Sequence, residues 1–196
     1  MDEIKSAREI AMEKIAKLEA ATDEERLKWK YAPEGETLAA RYLRENCNLA
    51  VELDKYDKEA REYVSAGVVE VLVRAIDLPR NDAAKDSNRK AMEGLKALKK
   101  DKVAVENVYS NIRRIFAHYT EQGEQQRRQA YEALKGQMAA KIQQALQQQT
   151  GQPSGIRIDV EKQPQFQEEW RKMQGQMDLA YLTHLAEYKH ELANIV

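Results

Sequence analysis

The sequence has few of the residues that interrupt helices, since only 8 of its 196 residues are Gly and 4 are Pro. These two residues disfavour helix interiors more than any others, so their scarcity favours long helices. Hydrophobic residues make up 42% of the chain and charged residues 33%, which suits helices that bury one face and expose the rest. The chain is therefore predicted to be all-α, with about six helices arranged as a bundle.

Cysteine is nearly absent, because Cys47 is the only one. A single thiol cannot form a disulfide within the chain, so nothing indicates an oxidising compartment. Its apolar neighbours Leu43, Leu49 and Ala50 predict a small buried side chain. All three histidines lie far along the chain, which argues against a cysteine nucleophile activated by a nearby base.

Long apolar runs and catalytic motifs are also missing. No stretch of the sequence approaches the roughly 18 apolar residues of a transmembrane helix, and the first residues lack the continuous apolar segment of a signal peptide. We therefore expect a cytoplasmic protein without membrane contact. The sequence contains no Gly-rich phosphate loop and no G-x-S-x-G nucleophile elbow, so it predicts neither an enzyme nor a cofactor.

A strong excess of charge of one sign is absent, because the formal net charge is -1. This balance argues against a protein that binds nucleic acid through overall charge. The exception is the segment from Lys85 to Lys102, which carries seven Lys or Arg residues against three acids. A solvated helix face is the main interpretation of this segment, and weak nucleic-acid association through it is an alternative.

Residues 1–100 are predicted to form a compact helical region. Apolar residues spaced three or four apart from Ile4 to Leu18 predict a first helix with one buried face. Thr22 followed by Glu25 fits a capping box, in which each residue satisfies a backbone N–H near the other. A second, short helix is therefore expected to begin there.

The end of that short helix is predicted from its breakers. Pro33 and Gly35 stand two residues apart, a combination typical of a turn. Thr37 follows and is a suitable cap for a further helix, whose apolar residues continue to Tyr56.

The most apolar segment, residues 64–78, contains several valines and could be a strand. A helix is preferred, because Glu70 and Arg74 are spaced to pair along one helix face. Pro79 is expected to end this helix, since the residue before a proline avoids helical geometry. Asn81 is then a plausible cap for the next one.

Residues 101–196 are predicted to form a long antiparallel helical hairpin. Its helices would run from Val103 to Gln148 and from Gln165 to Ile195, joined by a loop at about 149–164. Within that loop, residues 156–160 alternate apolar and charged side chains, which predicts a short strand or extended segment. The first helix of the hairpin has a seam with heptad spacing that is interrupted by polar residues 120–129. The seam residues are Val105, Val108, Ile112, Ile115, Tyr119, Tyr131, Leu134, Met138, Ile142 and Leu146.

The last helix carries a stripe in which side chains recur every eleven residues, as on a nearly straight helix. Aromatic and Met side chains dominate this stripe, and such residues are enriched in the cores of protein interfaces. We therefore expect a homo-oligomer, with a dimer favoured, or contact with an unidentified protein partner. The interface candidates are Phe166, Trp170, Met173, Met177, Tyr181, His184, Tyr188, Leu192 and Ile195.

His184 is the one basic residue of that stripe and is interpreted as a core or interface residue. A metal site is the alternative, because Glu187 and His190 are three apart, as in di-metal carboxylate bundles. Such bundles need a second pair of this kind, and the sequence has none. The leading hypothesis is a non-enzymatic helical module for structure or protein interaction. The alternative is a helical protein that binds a metal or small molecule through His184, Glu187 and His190.

Overall fold

The computed structural model describes residue 6 and residues 21–45, 47–150 and 159–195. Contacts between Cα atoms divide the chain into two units. The first unit contains the described residues up to Ile76 together with Ser87–Lys102 and Ile195, and the second contains the described residues within Asp77–Asp86 and Val103–Asn194. The described residues form six α-helices and a 3₁₀ turn and contain no strand, so the predicted all-α fold is confirmed. The expected first helix, from Ile4 to Leu18, lies outside the described residues.

The first unit begins with helix α1, Asp23–Arg44, which continues through Pro33. The predicted turn at Pro33 and Gly35 is therefore wrong, and so is the expected cap at Thr37. The hydroxyl of Thr37 instead donates to the backbone carbonyl of Pro33 at 2.9 Å, a bond that a helix-interior threonine can make. Proline destabilises a helix interior by about 3 kcal/mol, so packing elsewhere in α1 must compensate.

That packing is a close approach of α1 to helix α3, Lys58–Ala75. Both helices present a buried glycine at the contact. A Cβ atom on Gly35 would lie 2.0 Å from the carbonyl oxygen of Val64, and one on Gly67 would lie 2.3 Å from that of Ala32. The missing side chains let the two backbones touch directly. The sequence around Gly35 contains only the local signal of a turn. The reason for this glycine is its contact with α3, a helix about 30 residues further along the chain, and no local pattern reveals that contact.

Along the chain, the short helix α2, Leu49–Leu53, comes between α1 and α3. The expected continuous helix to Tyr56 is therefore wrong. The side chain of Asn48 accepts hydrogen bonds from the backbone N–H groups of Ala50 at 3.0 Å and Val51 at 3.4 Å, which starts a new helix. Helix α4, Asp82–Leu98, is capped in the same way, because Asn81 accepts from the N–H of Ala84 at 2.8 Å. The predicted cap at Asn81 is confirmed.

The core of the first unit is aliphatic. Gly94 of α4 lies against Leu72, Tyr42 and Leu49, because its Cβ would be 2.8, 2.8 and 3.2 Å from atoms of their side chains. The helix predicted over residues 64–78 is confirmed as α3 in its larger part, since α3 ends at Ala75. The buried hydrophobic residues of this unit are Leu38, Ala39, Leu49, Leu53, Ala60, Val64, Val68, Leu72, Ile76, Ala91 and Leu95.

Thr22 begins α1 with the predicted capping box, in which Glu25 N–H donates to the Thr22 hydroxyl at 3.3 Å and Thr22 N–H donates to Glu25 Oε2 at 2.9 Å. We expect Thr22→Ala to lower the free energy of unfolding of the first unit by about 1 kcal/mol, because an orphan helix N–H loses its acceptor. Urea unfolding followed by circular dichroism would measure this. Thr22→Ser, which keeps the hydroxyl, should recover most of the loss, and an equal loss in both variants would contradict the role of the cap.

The second unit contains two long helices. Helix α5, Lys102–Thr150, is one continuous helix of 49 residues, and helix α6, Pro164–Asn194, has 31. A 3₁₀ turn, Val160–Lys162, precedes α6. A short strand or an extended segment is predicted for residues 156–160. Asp159 has extended backbone, with φ −76° and ψ 91°, whereas Val160 lies in that turn. Residues 156–158 lie outside the described part of the chain. The turn forms because the N–H of Gln163 bonds back to the carbonyl of Val160 at 3.1 Å.

Side chains of α5 and α6 meet at two levels. Tyr119 contacts Tyr181, with ring centroids 5.2 Å apart. Further along α5, Tyr131 packs edge-on against Phe166 at 5.2 Å and Trp170 at 5.0 Å. Residue numbers therefore rise along α5 as they fall along α6. Phe166 is buried with Leu134 and Val160, and partly buried apolar side chains surround them: Tyr131, Met138, Ala139, Ile142 and Trp170.

Candidate functional site

The buried face of helix α6 is narrower than the eleven-residue stripe that the sequence predicts. Asp178, Leu185 and Leu192 are buried and stand seven residues apart, the spacing of one side of a packed helix. Asp178 breaks the apolar pattern of this face. The eleven-residue recurrence did not reveal this face, because it places Asp178 and Leu185 outside the stripe.

Beside that face runs a band of partly exposed side chains. Met173, Met177, Tyr181 and Tyr188 are each partly buried, whereas His184 is exposed. The side chain of His184 is 66% exposed, so within the described chain it is not a core residue. These five residues follow spacings of four, four, three and four, which is the pattern that a neighbouring helix packs against. Of the other interface candidates, Phe166 and Leu192 are buried, and Trp170 and Ile195 are partly buried.

The part of this band from Met177 to Tyr188 forms one wall of an open groove of about 560 Å³, and α5 forms the other wall. We call it the α5/α6 groove. It lies entirely within the second unit. Its lining combines apolar and polar side chains from both helices: Asn111, Arg114, Ile115, His118, Gln126, Met177, Ala180, Tyr181, His184 and Tyr188. Such a mixed, concave and partly apolar surface is typical of a binding site.

Tyr181 is held in the groove by contacts with two side chains of α5. Its hydroxyl lies 2.8 Å from Nδ1 of His118, within hydrogen-bond distance. Its ring meets that of Tyr119 edge to face, at an interplanar angle of 88°, a favourable aromatic geometry. Gly123 leaves room for this arrangement, because a Cβ there would lie 3.1 Å from the Tyr181 hydroxyl. The tyrosine is therefore held in place before any partner binds.

The charge of the groove lining is of one sign. Arg114 is cationic, whereas the lining contains no Asp or Glu. The nearest carboxylate to His184 is Glu187, whose Oε2 lies 3.4 Å from the imidazole Nδ1. Because the side chain of Glu187 is itself 67% exposed, this pair is solvated rather than enclosed.

The proposed metal ligands do not converge. His184 contacts Glu187, but His190 Nδ1 lies 3.2 Å from the amide nitrogen of Asn194. In the part of the chain that the structure describes, no three His, Cys, Asp or Glu side chains are grouped so that they could hold a metal ion.

Several lysines of the segment from Lys85 to Lys102 form ion pairs or hydrogen bonds within the chain. Lys85 pairs with Asp82 at 2.9 Å, and Lys90 donates to the carbonyl of Leu43 at 3.3 Å. Lys102 donates to the carbonyl of Lys96. Lys99 is buried, and this burial lowers the pKa of its ammonium group. These lysines therefore form no continuous cationic surface of free side chains.

Sequence reasoning missed a polar cluster in the second unit. Asp178 is 9% exposed, and its Oδ2 accepts from Arg80 at 3.2 Å. Arg127 lies over the ring of Tyr119, with the guanidinium carbon 4.1 Å from the ring centroid. The polar residues 120–129 in the α5 seam were the available signal. Where a helix continues but its packed face becomes polar, the segments that cover it must offer polar partners.

In the first unit, Cys47 is only partly buried.

The described residues thus define an all-α protein with long helices, and none of those helices is long and apolar enough to cross a bilayer. The chain belongs to a family of unknown function (DUF6657), whose model matches residues 50–194. The match includes both walls of the α5/α6 groove. Neither a curated protein nor a solved structure matches the chain.

Proposed function

We propose that the protein is a non-enzymatic helical module that self-associates, with the α5/α6 groove of one copy receiving α6 of a second copy. One observation carries the proposal: a band of three- and four-residue spacing runs along α6, in which His184 is exposed and the other members are partly exposed. Its members are Met173, Met177, Tyr181, His184 and Tyr188. A helix with the same spacing would fill such a band by packing its side chains between these residues.

The residue types favour a protein partner over a small ligand. Met and Tyr are enriched at interface cores, where they bury large areas. The groove is also open along the helices rather than enclosed. A small molecule bound there would keep much of its surface in water, whereas a helix would cover the apolar side chains along several turns.

A second copy is a chemically suitable occupant. The surface charges of α6 have both signs, as in the pair of Lys172 with Glu168 at 3.0 Å. Five acids against three Lys or Arg residues give α6 a formal charge of -2, which suits a groove whose lining contains Arg114 and no Asp or Glu. The exposed Glu187 of one copy can also face the cationic Arg114 of the other, which complements the one-sided charge of the groove.

The test compares two substitutions on α6. Met177→Lys places a charge in the groove, whereas Leu179→Lys places the same charge on a residue that is 63% exposed and about 200° away around the helix. We expect wild type and Leu179→Lys to be dimers at tens of micromolar by light scattering and sedimentation. Met177→Lys should raise the dimer dissociation constant by about 10- to 100-fold.

Circular dichroism should be unchanged in both variants, so that a change in association is not a loss of helix. At protein concentrations where wild type is monomeric, the unfolding midpoints should also agree, since the dimer then adds no stability. A monomeric wild type at these concentrations would contradict self-association. A dimer that resists Met177→Lys and is lost in Leu179→Lys would place the interface on the opposite face of α6.

A further inference from the structure

A cluster of polar side chains is connected to the α5/α6 groove through the ring of Tyr119. We call four side chains the polar cluster: Arg80, Tyr119, Arg127 and Asp178. All four belong to the second unit, and all four stand outside the groove lining. Arg80 comes from the segment before α4, whereas the other three belong to α5 and α6. The cluster therefore joins a third segment of the chain to the two helices of the groove.

Asp178 is the centre of the polar cluster. It is buried, and its Oδ2 accepts from Nε and from Nη2 of Arg80, both at 3.2 Å. Asp178 is also in hydrogen-bond contact with the hydroxyl of Tyr119. Burial, and after it the negative charge of Asp178, raise the pKa of Tyr119. The hydroxyl of Tyr119 therefore keeps its proton and donates to the carboxylate.

The ring of Tyr119 contacts two further side chains. The guanidinium carbon of Arg127 lies 4.1 Å from the ring centroid, and Nη2 of Arg127 donates to the backbone carbonyl of Tyr119 at 3.0 Å. The ring of Tyr181 meets that of Tyr119 edge to face, with centroids 5.2 Å apart. Because Tyr119 is only 4% exposed, its ring has little room to turn once the hydroxyl is bonded.

Tyr181 extends this restraint into the groove. It lines the groove, and its hydroxyl lies 2.8 Å from Nδ1 of His118, which is another lining residue. Continuous contacts therefore run from Asp178 through Tyr119 to Tyr181. Such a connected set of packed side chains can couple two places in a protein. A side chain that is fixed before its partner arrives also lowers the entropic cost of binding.

We propose that Asp178 is a positioning residue of the α5/α6 groove, which acts through Tyr119 to hold Tyr181 in the orientation that receives a partner helix. Arg80 holds the carboxylate of Asp178 in turn. The inference rests on the self-association proposed above and names the residues that set the shape of that surface. A purely structural role of Asp178 would affect the stability of the second unit and leave the orientation of Tyr181 unchanged.

The test removes the hydroxyl of Tyr119 from the full-length protein. Tyr119→Phe keeps the ring beside Tyr181 but loses the contact with Asp178. We expect the dimer dissociation constant, measured by sedimentation, to rise about 3- to 10-fold, because Tyr181 is then less well fixed. The aromatic ¹H–¹³C signals of Tyr181 and the imidazole ¹⁵N signals of His118 should shift, since the hydroxyl of Tyr181 contacts that imidazole.

Tyr131→Phe is the matched control on the same helix. The hydroxyl of Tyr131 also bonds to a carboxylate, that of Glu161. Its ring, however, packs against Phe166 and Trp170, at the other level of contact between α5 and α6. This variant should leave the dissociation constant and the signals of Tyr181 unchanged.

Asp178→Asn tests the carboxylate itself, because it removes the charge and keeps the shape. It should shift the signals of Tyr181 as Tyr119→Phe does. The double variant should shift them by less than the sum of the two single shifts, because both substitutions act through one contact. Circular dichroism checks that each variant is folded.

Unchanged signals of Tyr181 in Tyr119→Phe would overturn the positioning role of Asp178. So would shifted signals with an unchanged dissociation constant, or equal effects of Tyr119→Phe and Tyr131→Phe. The Met177→Lys monomer separates this inference from self-association, because Tyr119→Phe should shift the signals of Tyr181 there as well. If wild type is itself a monomer and the same shift is seen, self-association fails while the link from Asp178 to Tyr181 holds.

Discussion

Replacing Gly35 by alanine is expected to destabilise the first unit by about 3 kcal/mol or more. The new Cβ would lie 2.0 Å from the carbonyl oxygen of Val64 and 3.0 Å from the backbone nitrogen of Val68. Both are main-chain atoms of α3, so no side chain can rotate away, and the two helices must separate. Separation would also loosen the packing of Leu38, Val64 and Val68, all of which are buried.

Gly67→Ala should have a similar effect from the other side of the same contact, because its Cβ would lie 2.3 Å from the carbonyl oxygen of Ala32. Urea unfolding would measure both variants, with Trp29 on α1 as the fluorescent reporter in a Trp170→Phe background. If the contact is one structural unit, the double variant should lose less than the sum of the two single losses.

Gly136→Ala is the matched control. Gly136 also lies within a helix, but nothing stands within 4 Å of its Cβ position. Alanine is the better helix former there, so the variant should gain up to about 1 kcal/mol. A loss in Gly35→Ala no larger than the change in Gly136→Ala would mean that α1 and α3 do not touch through their backbones.

Phe166→Ala should lower the free energy of unfolding of the second unit by about 3–5 kcal/mol, the usual cost of removing a buried phenyl ring. Phe166 is 2% exposed and lies edge-on to Tyr131 at 5.2 Å. It belongs to the apolar cluster between the distal half of α5 and the start of α6, so the cavity would open within that cluster.

Urea unfolding monitored by Trp170 emission, in a Trp29→Phe background, would follow this change locally. Phe166→Leu fills most of the volume and should lose less than about 1.5 kcal/mol. Leu179→Ala, at a residue that is 63% exposed, should be nearly neutral. If Phe166→Ala costs no more than Leu179→Ala, the aromatic cluster does not hold these helices together.

Local chemistry made several parts of the fold predictable. The capping bonds at Thr22 and Asn81 involve residues three apart. The valine-rich segment was assigned correctly to a helix, and its Glu70–Arg74 pair forms at 2.6 Å. Each of these interactions lies within one helical turn, so the residues that make it are visible together in the sequence.

The candidate site was predictable only in part. Met177, Tyr181, His184 and Tyr188 were singled out, and all four line the α5/α6 groove. Its other wall was not foreseen, because His118 and Arg114 resemble ordinary surface residues until α6 lies beside them. The polar cluster around Asp178 was missed for the same reason: Arg80 and Asp178 are 98 residues apart and meet only in the folded unit.

By itself the sequence determined that this protein is all-α, where several helices begin, and which side chains could share a helix face. These properties follow from hydrogen bonds and spacings between near neighbours in the chain. Only the tertiary structure decided that α1 passes through Pro33, that Asp178 is buried and that His184 is exposed. Burial and close backbone contact depend on which distant segment covers a surface, and no local pattern contains that information.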